Sequence, residues 1–468
     1  MVIKIKEIMN ATTLNEQNSE NSLPDFSKES FDFLDSCIIK YYSSDKEISY
    51  KIGCALVSRS KIDPGIQRNV TKQYDRIRSN LSFLTIPSAL SNKYDGKRVA
   101  ILGYVTNGDG WDPLSVNSGI AGSEEAIIYT SEELVRLGYL VSVYANPSKY
   151  SLWSLPCSNP IYKPADSFFN EAKPDRPFDI VIHWRNSNFD KVKAKYPGAL
   201  IIYWPHDCCT YSFSVENLDA CLFLSEYQRN DYINQIPKMS PIMYTMCGNG
   251  FDLSHFNDND NNLKPNMSEE NGGRFSCMYA SSYSRGLKIL LTIWPDVRRE
   301  YPQATLDIYY GRETWGILKQ DQLDEIVAMI VKLKNQGVRE KGKIGHKALA
   351  EAFQRHSLLT YPCSDLSETY CITVVKSQAA GCIPVTTNMG ALKETTRDGT
   401  PMITFNKDNI LEDYKQLVLK TMKKIKELSK EELALERIKY QEFAKDKTWK
   451  NCVSKWEDLF NRLRKDID

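Results

Sequence analysis

At 468 residues, with 42% hydrophobic and 25% charged side chains, the chain is long enough for two or three globular domains. Its 60 basic and 59 acidic residues leave a formal net charge of +1, which removes any general electrostatic case for nucleic acid or an anionic membrane. Peripheral membrane contact through a local patch stays open. No stretch approaches the ~20 apolar residues of a membrane span. The opening MVIKIKEIMNATT is too short and interrupted for a signal peptide, so the chain reads as intracellular and cytoplasmic. The 12 cysteines are scattered, with no C-x-x-C pair and no Cys/His cluster at zinc spacing, so no metal site is expected. Thiols inside apolar runs, such as Cys221 and Cys277, read as small hydrophobes of a reducing compartment.

Residues 1–96 read as a polar, disordered lead and a small helical extension, with roughly helical apolar spacing in SFDFLDSCIIKYY and QYDRIRSNLSFL. From Lys97 to residue 253 the pattern alternates. KRVAILGYV is an apolar, β-branched run of the kind that forms a buried parallel strand. A Gly/Asn/Ser loop leads into a helix over SEEAIIYTSEELVRLGY, where Ile127, Thr130, Leu134 and Leu137 share a face and the opening glutamates suit the positive helix end. LVSVYA, DIVIHW, ALIIYW and DACLFLS continue the strands. Residues 254–273 are polar and read as a linker or a surface insertion. A second alternating series spans 274–445: strand FSCMYA, helix RGLKILLTIWPDVRREYP, strand ATLDIYY, a helix near 316–337, strand SLLTYP, a helix after Ser367 and strand IPVTT. Residues 446–468 read as a closing helix. Strands alternating with helices predict two parallel α/β sheets, and ligands of such sheets bind beyond the carboxyl ends of the strands.

Three places carry chemistry. In the loop Asn117–Ser123, Gly119 and Gly122 allow a sharp turn and close approach of backbone to a ligand, ahead of the free N–H groups of a helix start. A plain strand-to-helix turn has a similar composition. After FSCMYA, Ser281, Ser282 and Arg285 gather hydroxyls and a guanidinium at another helix start, which matches the needs of a diphosphate. Glu368 stands beyond strand SLLTYP, at the mouth of a helix that would bury Ile372, Val375, Ala379 and Ala380; a carboxylate there can accept two hydroxyl hydrogen bonds. The NGDG stretch at 107–110 reads as a turn.

In this order the segments resemble the retaining group 1 glycosyltransferase superfamily with the GT-B fold. The resemblance rests on GIAGSEEA, on the turn Asn249–Gly250–Phe251–Asp252, on Arg285–Gly286, on the stretch Pro362 to Gly381, and on the tryptophan-bearing TWKNCVSKWEDLF. It covers about Lys97 to the C-terminus. It implies two facing Rossmann-like domains and transfer from a nucleoside diphosphate sugar, with retention and without metal or cofactor. The acceptor, whether glycan, lipid or protein, stays unspecified. It implies that His206 faces the transferred sugar, that Arg285 meets the diphosphate and that Glu368 holds the sugar hydroxyls. Gly119, Gly122, Ser281, Ser282, Cys371, Ile372 and Thr373 fall in the donor-binding segments. His183, Arg185 and Asp207, at strand ends, are assigned to the acceptor side.

Two positions depart from the family pattern. The carboxylate expected eight residues after Glu368 to hold the ribose is Lys376, which has donors but no acceptor and could reach ribose oxygens or phosphate. The basic residue expected before Arg285 is also absent, with Tyr279 and small residues in that region. A sugar-nucleotide or glycan binder without catalysis, or a sugar-nucleotide epimerase, are the alternatives. A dehydrogenase fits less well, because no G-x-G-x-x-G follows the first strand.

Overall fold

Two parallel sheets carry the chain. A computed structural model describes residues 45–61, 92–103, 110–149, 151–170, 177–256, 273–312 and 317–465, with short pieces between 33 and 86. The polar lead, most of the two helical segments expected in the extension, residues 107–109 of the NGDG turn and linker residues 257–272 lie outside the described residues.

The first domain opens with α1 (Lys46–Ser60), β1 (Arg98–Leu102), α2 (Gly122–Arg136), β2 (Leu140–Ala145) and β3 (Ile161–Pro164). It continues through β4 (Ile180–Trp184), α3 (Phe189–Lys195), β5 (Leu200–Trp204), β6 (Ala220–Phe223), α4 (Glu226–Gln235) and β7 (Met243–Met246). These strands form one sheet in the order β3-β2-β1-β4-β5-β6-β7. The second domain contains β8 (Ser276–Ala280), α5 (Leu287–Glu300), β9 (Thr305–Tyr309), α6 (Gln320–Lys332), β10 (Val338–Gly342), α7 (His346–Arg355) and β11 (Leu358–Tyr361). After these come α8 (Ile372–Ala379), β12 (Ile383–Thr387), β13 (Met402–Ile403), α9 (Ile410–Glu427), α10 (Lys430–Ala444) and α11 (Trp449–Lys465). Its sheet runs β10-β9-β8-β11-β12-β13. The order reverses between β1 and β4 in the first sheet and between β8 and β11 in the second, and these are the points where such sheets leave a crevice.

Apolar burial explains the strands. β4, β5, β6, β8, β11 and β12 are buried at every residue, as expected of parallel strands covered on both faces. The elements that sequence periodicity did not reveal are edge elements. β3 reads IYKP, β10 reads VREKG and β7 is half-buried throughout, so none offers a continuous apolar run. α7 follows β10 and was missed with it. The helix expected near 316–337 is Gln320–Lys332 with a 3-10 turn at Lys334–Gln336. The helix expected right after Ser367 starts at Ile372, so Glu368 stands in the preceding loop.

α2 departs furthest from a one-faced helix. Ile127, Thr130 and Leu134 are buried as expected, but so are Glu124, Glu125, Ile128 and Tyr129. The sheet covers one side, and α11 with the second domain covers the other. α11 reaches the first domain because the chain crosses back beside the first crossing. Phe251 donates its N–H to the Lys447 carbonyl (3.1 Å), and Trp449 donates to the Phe251 carbonyl (3.3 Å). Trp449, Trp456, Leu459 and Phe460 then join the first domain's core, with Trp456 edge-on to Trp204 at 4.6 Å. Each such side chain contributes about 1.5–3 kcal/mol on burial. α1 also belongs to this core, through Tyr50, Ile52 and Leu56. All 12 cysteines are free thiols and all but Cys208 are buried.

Candidate functional site

Between the two sheets, at the carboxyl ends of their strands, lies a cavity of about 390 Å³. The first domain contributes Ala121–Glu124 at the start of α2, Arg185 after β4, His206 and Asp207 after β5, and Asn249 after β7. The second contributes Ser281, Ser282 and Arg285 after β8, and Ser367–Thr373 leading into α8. Two helix N-termini, those of α2 and α8, therefore open on one space, where their N–H groups favour an anion.

Arg285 and Glu368 meet inside this space. The Arg285 Nη1 lies 3.1 Å from Glu368 Oε2 and 3.7 Å from Asp365 Oδ2. Tyr361 donates its hydroxyl to the same Glu368 oxygen at 2.7 Å. Burial would weaken the guanidinium's hold on its proton, but Glu368, together with Tyr361, Asp365 and Cys363 beside it, outweighs burial and holds the group charged. Burial pushes the Tyr361 hydroxyl well up, so it stays a donor. Gly286 makes the arrangement possible. It caps α5 with φ +101°, and a Cβ there would run into the Pro362 carbonyl. Ser282 Oγ lies 3.0 Å from Ser284 Oγ, and Thr373 donates to the Ala280 carbonyl at 2.8 Å, tying α8 to the end of β8.

On the facing wall, Arg185 donates to Ser123 Oγ and to Asp207 Oδ1, both at 2.8 Å. Arg185 (φ 60°) and Tyr310 (φ 95°) are the described non-glycine residues with left-handed backbone, and both line this cavity. Such conformations persist where the surroundings impose them, often at binding sites. His206 is buried with its ring edge-on to Trp204 at 4.5 Å. Burial, helped by Arg185, drives its pKa well below the ordinary histidine value, so the ring is neutral. His206 Nε2 and Asn249 Oδ1 are both buried with no hydrogen-bond partner among the described residues. A ligand in the cavity would satisfy them.

The description "Glycosyl transferases group 1" belongs to the family model that matches residues 274–424, the second domain. The second domain is a group 1 glycosyltransferase domain. This glycosyltransferase also shares its fold with solved structures. A glycosyltransferase from Rickettsia africae ESF-5 aligns with a TM-score of 0.59 at 11% identity, covering 80% of this chain and 100% of the other. HepE of Anabaena, solved with UDP-glucose, gives 0.56 at 13% over 79% and 100%. Sucrose-phosphate synthase of Thermosynechococcus elongatus gives 0.54 at 13% over 78% and 99%. At identities this low, the structural likeness shows the two-domain GT-B fold alone. A search of curated proteins finds no match.

The glycosyltransferase gathers most of the expected residues around the cavity: His206, Glu368, Arg285, Gly122, Ser281, Ser282, Cys371, Ile372, Thr373, Arg185 and Asp207. Three lie elsewhere. His183 is buried against Phe189 (4.8 Å), because alternation along β4 sends it to the outer face of the sheet while Trp184 faces inward. Gly119 sits at the domain seam, where a Cβ would come within 2.6 Å of the Ile344 carbonyl. Lys376 does not line the cavity. Its Nζ is 2.7 Å from the Glu125 carboxylate, across the domain boundary.

Residues that sequence reasoning missed also line the space. Glu124 is buried there, its carboxyl pushed up by burial although Arg185 opposes the shift. The signal for Asn249 was present in its N-G-hydrophobic-D turn. Nothing in the sequence pointed to Tyr310, and Tyr361, which is buried and bonds Glu368 without lining the cavity, read only as part of a strand. Among the described residues no group of three or more His, Cys, Asp or Glu is arranged to hold a metal ion, and no helix is long and apolar enough to cross a membrane.

Proposed function

We propose that this glycosyltransferase moves a sugar from a nucleoside diphosphate sugar to an acceptor, with retention of anomeric configuration and without a metal. The observation that carries the reading is the meeting of Arg285 and Glu368 in the interdomain cavity, at the mouths of α2 and α8. The diphosphate lies against Arg285 and the N–H groups at the start of α8, which stabilise negative charge as the bond from the sugar's anomeric carbon to phosphate breaks. Glu368, oriented by the Tyr361 hydroxyl, accepts hydrogen bonds from the sugar. His206, neutral and with Nε2 open, bonds the sugar from the first domain. The acceptor's oxygen attacks from the face the phosphate leaves, and its proton passes to the departing phosphate oxygen. The two domains exclude water from the step. A set of free thiols fits a reducing, cytoplasmic setting.

Because HepE was solved with UDP-glucose, UDP sugars are the first donors to test. The experiment is a melting-point screen against nucleoside diphosphates and their sugars, since a ligand bound only by the native state raises the melting temperature. Transfer or donor hydrolysis follows with the hits, in the presence of a chelator, and proton NMR reads the anomer first formed. A product of inverted configuration removes the retaining assignment. Donor binding with neither transfer nor hydrolysis removes the catalytic one.

A further inference from the structure

Glu125 and Lys376 come from opposite domains, one turn into α2 and one turn into α8. Lys376 Nζ lies 2.7 Å from the carboxylate, and both side chains are buried, 9% and 3% exposed. His346, the first residue of α7, places Nε2 at 3.6 Å from Glu125 Oε2 and Nδ1 at 3.2 Å from the Tyr129 hydroxyl of α2. Burial holds that histidine well below its ordinary pKa, so it adds no opposing charge to Lys376. Around the pair the backbones touch. Gly119 packs on Ile344, and Gly345 packs on Asn117 so closely that a Cβ would overlap the carbonyl. Only a void of about 80 Å³ is left beside the pair.

The residues that open these same two helices, Gly122–Glu124 and Cys371–Thr373, line the larger cavity. Whatever fixes α2 against α8 therefore fixes the spacing of the two helix mouths. We propose that Glu125 and Lys376 are positioning residues that latch the domains together and hold the two helix N-termini at the separation the donor diphosphate requires. This rests on the donor reading above. In the interior of one domain, a charge that loses its partner has nowhere to go. At a seam between domains it can regain water by parting them. The pair thus favours the closed arrangement, and removing one member makes closure unfavourable for the other. A closed fraction that drops weakens apparent donor affinity in proportion.

The test is a double-mutant cycle on the full chain with Lys376→Met, Glu125→Leu and the double variant. UDP serves as the binding probe, and hydrogen exchange in the opening turns of α2 and α8 reports closure without ligand. Each single variant is expected to speed that exchange and to raise the UDP dissociation constant about tenfold, as a closed fraction cut to about a tenth would do. Donor KM is expected to rise further than kcat falls. The double variant, with an apolar pair and no stranded charge, returns exchange and affinity to within about threefold of wild type, which is the non-additive signature of residues in contact. Should a single variant fail to fold, Glu125→Gln, close in shape, gives the same reading. Single variants with wild-type exchange and affinity overturn the latch, as does a double variant that merely sums the two losses. If wild type binds no nucleoside diphosphate while the exchange cycle behaves as stated, the donor reading fails and the latch stands.

Discussion

Glu368 joins two jobs in one side chain. It is the carboxylate proposed to hold the sugar, and it is the partner that lets Arg285 sit charged in the cavity wall. Substitutions therefore separate function from folding only if they respect the pair. Glu368→Ala leaves Arg285 facing Asp365 at 3.7 Å, with its side chain still 23% exposed. A loss of about 1–3 kcal/mol in stability is expected, short of the cost for a sealed ion pair. Glu368→Gln keeps the shape and one acceptor oxygen but loses the charge. It is expected to hold stability within about 1 kcal/mol, while kcat/KM for the donor falls by about 10²-fold or more. Urea unfolding alongside initial rates checks both, and a Gln variant with wild-type rates would take Glu368 out of the mechanism. Tyr361→Phe removes one donor to Glu368 Oε2 and should cost about 1–2 kcal/mol of transition-state stabilisation, read as kcat/KM. Glu368 and Arg285 were legible because each stands beside a strand end, where motif and polarity coincide. Lys376 misled because a sequence cannot show that its nearest carboxylate, Glu125, is 251 residues away on the other domain. His183 misled because the strand's alternation, which decides its face, was read only at the level of the run.

Elements place these side chains, and two of them do so through single residues. α5 is capped by Gly286, where positive φ and the Pro362 carbonyl leave no room for a side chain. Gly286→Ala is expected to cost about 2–4 kcal/mol, from backbone strain and overlap together, and to displace Arg285 beside it. Urea midpoints and UDP affinity should fall together; a fall in neither would mean the loop relaxes freely. α11 acts at longer range. Trp456 is fully buried against Trp204, and Trp204 packs on His206. Trp456→Ala should cost about 3–5 kcal/mol and lower kcat through a loosened His206, although the helix never enters the cavity. The strands that build this frame were readable wherever both faces are buried, because apolar runs then mark them. β3, β10 and β13 escaped because edge strands carry charge or are too short. The two-faced burial of α2 escaped because a helix covered by a distant segment keeps no one-sided pattern. The return of α11 to the first domain could be suspected from its tryptophans, but its packing partners could not.

Across the whole molecule, histidine protonation connects stability to pH. Burial lowers the pKa of His183, His206, His255 and His346. His183 is brought from 6.5 to about 4, opposed only in part by its bond to Asn186 (2.7 Å). Between those two values the unfolded chain binds a proton at this site that the folded chain refuses. Stability rises with pH wherever the unfolded state holds more protons. The contribution of His183 is therefore complete above pH 6.5 and drains away as pH falls towards 4, at about 1.4 kcal/mol per pH unit. Buried acids such as Glu124 and Glu125, with raised pKa values, pull the other way, so the total curve does not isolate the effect. A difference does. His183→Phe keeps a ring of similar size beside Phe189 and removes the titrating site. Urea unfolding of both proteins at half-unit steps from pH 7.5 to 5 should show a constant gap above pH 6.5. Below it the wild type should lose stability faster than the variant, by about 1.4 kcal/mol for each further unit. Parallel curves down to pH 5 would mean that the folded protein protonates His183 as readily as the unfolded chain, and the site would then be open to water.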